Sequence, residues 1–328
     1  MSTVTTTTLS AEMKTFYDMR LIDEASPMLV HEQFGQKRPI PQGGGKTVNF
    51  RRFSPLAKAT TALTEGVTPS GSSLSVSSIS AIVAQYGDYV VQSDVLELTA
   101  VDNTILETTK LLGRQAGLTM DTIVRNALLL GTNKSYAPKY VADTNGNLVE
   151  TEVTKTADLD TSAKLTVDVV QRVVAKLRAQ NAPTIGGDYV CIIHPYVAYD
   201  LMRDPEWIDA HKYATPENLY TGEIGKMAGV RFVQSTEAKI DKGGSDNPSG
   251  LAVFHCFFIG DGAYGVTEVT GGGLQTIVKQ KGSSGTADPL DQRSSVGWKG
   301  LKAAKILVDN YLVDLMCCSK FSATATAN

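Results

Sequence analysis

Cysteine is scarce in this chain. Cys191, Cys256, Cys317 and Cys318 are the only four among 328 residues, and no two have C-x-x-C spacing. Four cysteines in a chain this long do not form a disulfide scaffold. Their apolar surroundings predict buried free thiols in a reducing compartment. An excess of basic residues is also missing: 31 Lys and Arg stand against 34 Asp and Glu, a net charge of −3. No broad positive field is therefore present to attract nucleic acid. Long apolar runs are missing too, and the densest, Leu251–Ile259, is too short to span a bilayer. Met1–Thr8 lacks the basic and apolar regions of a secretory signal. Together these absences predict a soluble protein made in the cytoplasm, with no membrane partner.

The rest of the composition is globular. Hydrophobic residues make up 42% and charged residues 20%, whereas a disordered chain is poorer in the former and more lopsided in charge. The length suits one large domain or two smaller ones. Twenty-nine glycines, with abundant Ser and Thr, predict many turns and strands.

Along the chain, Ser10 to about Phe34 reads as an arm with a short helix. Phe16, Met19, Leu21 and Ile22 form its apolar face, and Ser26-Pro27 interrupts it. Gln36–Lys46 reads as a Pro/Gly-rich loop. Thr47–Phe53 alternates as a strand does. A weak segment follows to Val83, with Gly66, Pro69 and Gly71 in its middle and Leu74, Val76 and Ile79 as the large apolar anchors of its Ser-rich limb. Such a hairpin has too little apolar surface to fold well alone. Tyr86–Val95 reads as a return strand. Leu98, Val101, Ile105, Leu112, Ala116, Met120, Ile123, Ala127 and Leu130 then mark a long helical stripe with Gly113 and Gly117 inside it. Both Thr104/Glu107 and Asp94/Glu97 have capping-box spacing, so its start is open.

Asn145-Gly146 signals a hairpin. Leu165–Ala179 is a second helix. Tyr189–Ile193 is apolar throughout, as a strand covered on both faces is. Pro195 opens a helix through Arg203, and Glu223–Ala228 reads as a short helix stopped by Gly229. Val230–Gln234, Leu251–Ile259, Ala263–Val269, Leu274–Lys281 and Lys305–Cys318 read as strands. The mixture predicts an α+β fold with two lobes discontinuous in sequence.

Motifs for chemistry fail on inspection. Gly43-Gly44-Gly45-Lys46-Thr47 precedes a strand and has Ile40 where a phosphate loop needs glycine. Gly222, Gly225 and Gly229 lack dinucleotide-loop spacing and a preceding strand. His31, His194, His211 and His255 have no partner at metal-site spacing. No Gly-x-Ser-x-Gly elbow occurs. The sequence thus predicts no catalytic residue, no cofactor and no metal. Lys37, Arg38, Lys46, Arg51 and Arg52 form one modest basic cluster, suited to DNA phosphates or an acidic neighbour.

Three segments, in order, carry a family resemblance. The first is Tyr189-Val190-Cys191-Ile192-Ile193-His194-Pro195-Tyr196 with Tyr199-Asp200-Leu201 and Asp204…Trp207. The second is Gly222-Glu223-Ile224-Gly225 leading to Ala228-Gly229-Val230-Arg231. The third, and most specific, is Asp288-Pro289-Leu290-Asp291-Gln292-Arg293-Ser294-Ser295-Val296-Gly297-Trp298-Lys299, followed by Ala303-Ala304-Lys305-Ile306-Leu307. The chain, from about residue 10 to 318, resembles the major capsid proteins of N4-like tailed phages. Within the third segment, Asp291 and Ser294-Ser295 stand where smaller or more Gly-like residues are expected.

That family is similar in fold to HK97-type capsid proteins. The resemblance implies an N-terminal arm over 1–46 and an E-loop hairpin over 47–95. It implies a peripheral domain from 96–164 and 263–328, with a spine helix near 102–131, and an axial domain over 165–262. The implied function is self-assembly into hexamers and pentamers of an icosahedral head enclosing double-stranded DNA. The implied partners are copies of the chain itself, portal, scaffold and decoration proteins, and DNA touched without sequence specificity. The expected location is the virion capsid, assembled in the host cytoplasm. Gly113 and Gly117 suggest a spine helix that bends in the precursor shell and straightens on expansion. Two alternatives remain open: a nanocompartment shell protein of the same fold, and an enzyme whose site is assembled only in space.

Overall fold

The computed structural model describes residues 11–25, 28–39, 45–53, 56–68, 70–99, 104–212, 224–243, 247, 250–268, 274–282 and 288–328. Its centre is a mixed sheet. Across it run Lys134–Tyr136, Leu312–Cys317, Ala252–Ile259, Tyr189–Ile193, Val230–Gln234 and Lys226–Met227, while Ile240–Lys242 pairs with the start of Ala252–Ile259. Tyr189–Ile193 and Ala252–Ile259 are buried at every residue because both faces of this sheet are covered. Tyr189, Cys191 and Ile193 pack towards the helices Val167–Ala179 and Pro195–Met202. Val190 and Ile192 point the other way, towards Val124 and Leu128 of the long helix.

That long helix spans Thr104–Leu128, about 37 Å at ~1.5 Å per residue. Its C-terminal half lies under the central sheet. Its middle packs, through Leu112, Ala116 and Met120, on Val296 and Trp298 of a second sheet. The second sheet is antiparallel, with Arg293–Lys302 between Gln275–Lys279 and Ala84–Ser93. The hairpin Thr47–Phe53/Val76–Ile82 is anchored at its base only. Val48, Phe50, Ala81 and Val83 pack there on Ala303, Leu307 and Val308.

Several expectations need correction. Along the stripe read as one helix, the described residues form the helical stretches Asp94–Thr99 and Thr104–Leu128. Ser93 starts the first by accepting a hydrogen bond from the Leu96 amide at 3.3 Å, one residue before the expected cap. The return strand runs Ala84–Ser93 and pairs with Arg293–Lys302, whereas Thr47–Phe53 pairs with Val76–Ile82. Gln36–Pro39, expected within a loop, is a strand parallel to Tyr264–Glu268. The helix expected at Glu223–Ala228 is, in its described part, the strand Lys226–Met227, turning back into Val230–Gln234. Ala228 and Gly229 both have positive φ, 53° and 78°, as a two-residue hairpin turn requires. In the arm helix Ala11–Ala25, Leu21 is buried while Met19 and Ile22 face outwards.

Gly113 and Gly117 have a packing reason in the structure. The helix continues through both, and the arm helix crosses it there. A Cβ on Gly117 would lie 2.6 Å from the Ala25 carbonyl oxygen and 2.9 Å from Met28 Cβ. A Cβ on Gly113 would meet Glu24 Cβ and the Leu21 oxygen at 3.0 Å. Alanine favours a helix by about 1 kcal/mol over glycine, but overpacking costs about 1–3 kcal/mol. Gly117→Ala should therefore lower stability in urea and expose the arm to proteolysis, while Gly113→Ala stays close to neutral. A Gly117→Ala variant more stable than the parent would return the glycines to a hinge role.

Candidate assembly surfaces

The Asp288–Lys299 segment is a structural clamp. The Asp288 carboxylate is buried and accepts the Arg293 amide at 2.8 Å, with the Arg293 guanidinium 3.7 Å away. The Asp291 amide donates to the Asp288 carbonyl at 3.1 Å, and Asp291 has φ +53°. The Gly-like conformation expected at Asp291 is thus present, supplied by an aspartate. The Gln292 carbonyl accepts the Asp94 amide at 2.9 Å, which ties the turn to the helix Asp94–Thr99. Further on, buried Trp298 donates its indole N–H to Gln115 at 3.2 Å, and Gln115 donates to Asp88 at 2.6 Å. That last bond, with the Tyr89 amide, holds the Asp88 carboxyl below its ordinary range. One chain of contacts therefore joins strand, helix and strand. Pro289, Gln292 and Lys299 face outwards.

The other residues singled out lie in the central lobe and act locally. His194 caps the helix opened by Pro195, its Nδ1 accepting the Tyr196 amide at 3.2 Å. Burial lowers its pKa. Trp207 is buried with its ring 5.5 Å from Phe232. Asp204 accepts from the Val167 and Glu206 amides, so it serves two helix starts. Gly225 and Gly229 take positive φ. These groups and the Asp288–Lys299 clamp do not converge on one cleft.

No nucleophile–base arrangement forms around the described histidines. His255 presents Nδ1 to Asp314 at 2.9 Å and Nε2 to Asp241 at 2.9 Å, so neither nitrogen is open to act as a base. His31 Nδ1 faces Asp121 at 2.6 Å in the interior. Among the described residues, no group of His, Cys, Asp and Glu is arranged to hold a metal ion. The side chain of His211 lies outside the described residues, as does Pro69.

What the surface does offer is unpaired apolar area. Phe53, Leu56, Leu63, Val67, Leu74, Val76 and Ile82 are exposed along the hairpin, around Gly66 at φ +78° and Gly71 in open space. On the second sheet, the face away from the long helix has a depression of about 430 Å³, floored by Gly297 and bordered by Tyr89, Ile277 and Lys279. Lys37, Arg38, Lys46, Arg51 and Arg52 make no ion pair with another described residue. Apolar residues gathered on a projecting element mark an association surface.

A family model for phage capsid protein matches residues 54–312. The chain belongs to the phage capsid protein family. Solved structures agree in fold. The capsid of cyanophage Pam1 matches with a TM-score of 0.66 and 13% identity, over 99% of this chain and 97% of that one. The capsid of cyanophage P-SCSP1u matches at 0.62 and 14%, over 98% and 93%. The capsid of Ralstonia phage GP4 matches at 0.64 and 16%, over 89% and 88%. No curated protein matches the chain. The fold is of the HK97 type, and the protein is a structural component of the phage shell with the role of a major capsid protein.

Sequence reading missed Gly87, where a Cβ would lie 2.5 Å from the Trp298 carbonyl oxygen, because nothing local pairs it with residue 298. It found Gly297 but not the reason for it. A Cβ on Gly297 would sit 2.7 Å from Tyr89 Cβ and 2.9 Å from the Asp88 oxygen. Gly297→Ala should cost about 1–3 kcal/mol in chemical denaturation. Gly71→Ala, with nothing within 4 Å, should leave stability unchanged. Equal effects at the two sites would contradict the clamp.

Proposed function

We propose that this capsid protein tiles an icosahedral head as hexamers and pentamers enclosing double-stranded DNA, and that it belongs to the N4-like subgroup. The observation that carries the assembly reading is the hairpin. Seven large apolar side chains stand exposed on an element that rests on its own body only at the base. A hairpin of that kind is completed by lying on a neighbouring copy. Closed rings then need head-to-tail contacts, in which each surface meets a different one. Many modest contacts per chain add up to a stable particle while each stays reversible.

On this reading residues 1–46 are the N-terminal arm and 47–95 the E-loop. Residues 96–164 and 263–328 form the peripheral domain, and 165–262 the axial domain. Portal, scaffold and decoration proteins are further partners, assembly takes place in the host cytoplasm, and the chain has no catalytic role. The near-balanced charge suits a container, since a strongly basic wall would hold the packaged DNA and hinder its release. A second reading is a nanocompartment shell of the same fold, and one likeness is to a particle named as virus-like. A virus-like particle from Pyrococcus furiosus matches with a TM-score of 0.52 and 10% identity, over 93% of this chain and 100% of that one. Particles filled with a co-purified enzyme and free of DNA would decide for it.

Negative-stain microscopy of the expressed protein should show closed shells. Changing Leu63, Val67 and Leu74 together to Ser should abolish them. The same variant should stay within about 0.5 kcal/mol of the parent in monomer stability, because the three side chains are already in solvent. Intact shells from the triple variant would overturn the role given to the hairpin.

A further inference from the structure

The arrangement around His255 is more than a satisfied buried histidine. The ring sits on Ala252–Ile259, on the face turned towards the long helix, with Phe257 beside it. Asp314, from Leu312–Cys317, offers both carboxylate oxygens to Nδ1 at 2.9 and 3.0 Å and is 1% exposed. Asp241, from Ile240–Lys242, offers one oxygen to Nε2 at 2.9 Å. An ionised carboxylate only accepts hydrogen bonds. With both aspartates ionised, both bonds exist together only when the ring is an imidazolium.

The two sides of the ring are unequal. Asp314 is interior, and its side chain makes its hydrogen bonds to His255 alone among the described residues. Asp241 is 44% exposed and also has Lys239 at 3.4 Å. A neutral ring therefore keeps its proton on Nδ1 for Asp314 and turns a lone pair towards Asp241. The bond that breaks is the one to Ile240–Lys242.

That short strand holds more than itself. Lys239 donates to the terminal Asn328 oxygen at 2.5 Å, and the Ile240 amide donates to the Asn328 side chain at 3.0 Å. Lys242 donates to the Thr324 carbonyl at 3.0 Å. The Asn328 amide in turn reaches the Ala238 carbonyl at 3.0 Å. The tail also bonds the sheet directly, the Ala252 amide donating to the Ala323 carbonyl at 2.9 Å, and Ile240–Lys242 keeps its backbone pairing with Ala252–Phe254. We propose that His255 is a proton-operated clasp that tightens residues 236–242, and the tail bonds they carry, onto the central sheet, and that alkaline conditions loosen both.

The other charges facing the clasp set its poise. Arg125 of the long helix donates to the Glu237 carbonyl at 2.8 Å, and its charge lies within reach of Glu237, Asp121 and Asp241. His31 of the arm lies on Asp121 and 6.1 Å from Phe257. Burial by itself pushes the His255 pKa down. Hydrogen bonds to Asp241 and Asp314, with their charges, outweigh it and bring the value up to about 9. A raised value means that the clasp is fully made below about pH 6.5, the unfolded value, and is lost as pH rises through about 9.

Hydrogen exchange of the protein from pH 6.5 to 10, corrected for intrinsic rates, tests this. Protection of 236–242 should fall severalfold across that window, by less than the roughly 300-fold that the whole shift of about 2.5 pH units would give, because Asp314 keeps its share of the shift; protection of 321–328 should fall by less again. Tyr189–Ile193 should keep its protection throughout. In Asp241→Asn the amide can bond the ring in either protonation state, so the step should vanish and the tail should stay protected at pH 10. Flat protection in the parent overturns the clasp, and so does an unchanged step in Asp241→Asn.

Discussion

The fold depends on one helix burying a single stripe against three partners. Thr104–Leu128 gives Leu112, Ala116 and Met120 to the three-stranded sheet, Val124 and Leu128 to the central sheet, and Gly113 and Gly117 to the arm helix. Steps of three and four residues keep these positions on one side. Gly117 lets the arm backbone approach more closely than any side chain would allow, and Gly113 leaves room for a tight contact beside it. Without this shared beam the three-stranded sheet would lose the main cover of its one buried face.

The stripe is not wholly apolar. Asp121 and Arg125 lie on it and are buried. Asp121 accepts the His31 amide at 2.7 Å and faces the His31 ring, while Arg125 reaches the loop at Glu237. A second interior pair, Lys302 with Glu32 at 2.5 Å, binds the arm to the strand Arg293–Lys302. Buried charges of this kind are weak evidence for stability, since desolvation offsets much of the attraction. Their value lies in alignment. Each penalises any other seating of the arm, because a displaced arm leaves an uncompensated charge inside.

Much of this was legible from the residues. The covered strand Tyr189–Ile193, the Asn145-Gly146 turn, the helix after Pro195, the poorly anchored hairpin and the long stripe all follow from short-range pattern, and the structure contains them. The capsid family was legible through the segments at 189–207, 222–231 and 288–307. What stayed hidden depends on neighbours distant in sequence. Gln36–Pro39 reads as a loop because its pairing partner lies at Tyr264–Glu268. The glycines at 113 and 117 read as softness because the crossing helix is about ninety residues away. Lys226–Met227 reads as helix because a two-residue strand has no period of its own. The Asp241–His255–Asp314 cluster comes from three strands, and no local spacing announces it.

A common beam has a consequence for how the subunit fails. Neither sheet can lose its packing without baring the helix that the other one needs, so the two halves should come apart in one cooperative event. A protein made in many copies at high concentration is most endangered by half-open forms, whose bare edges stick to one another. This architecture leaves few such forms to populate.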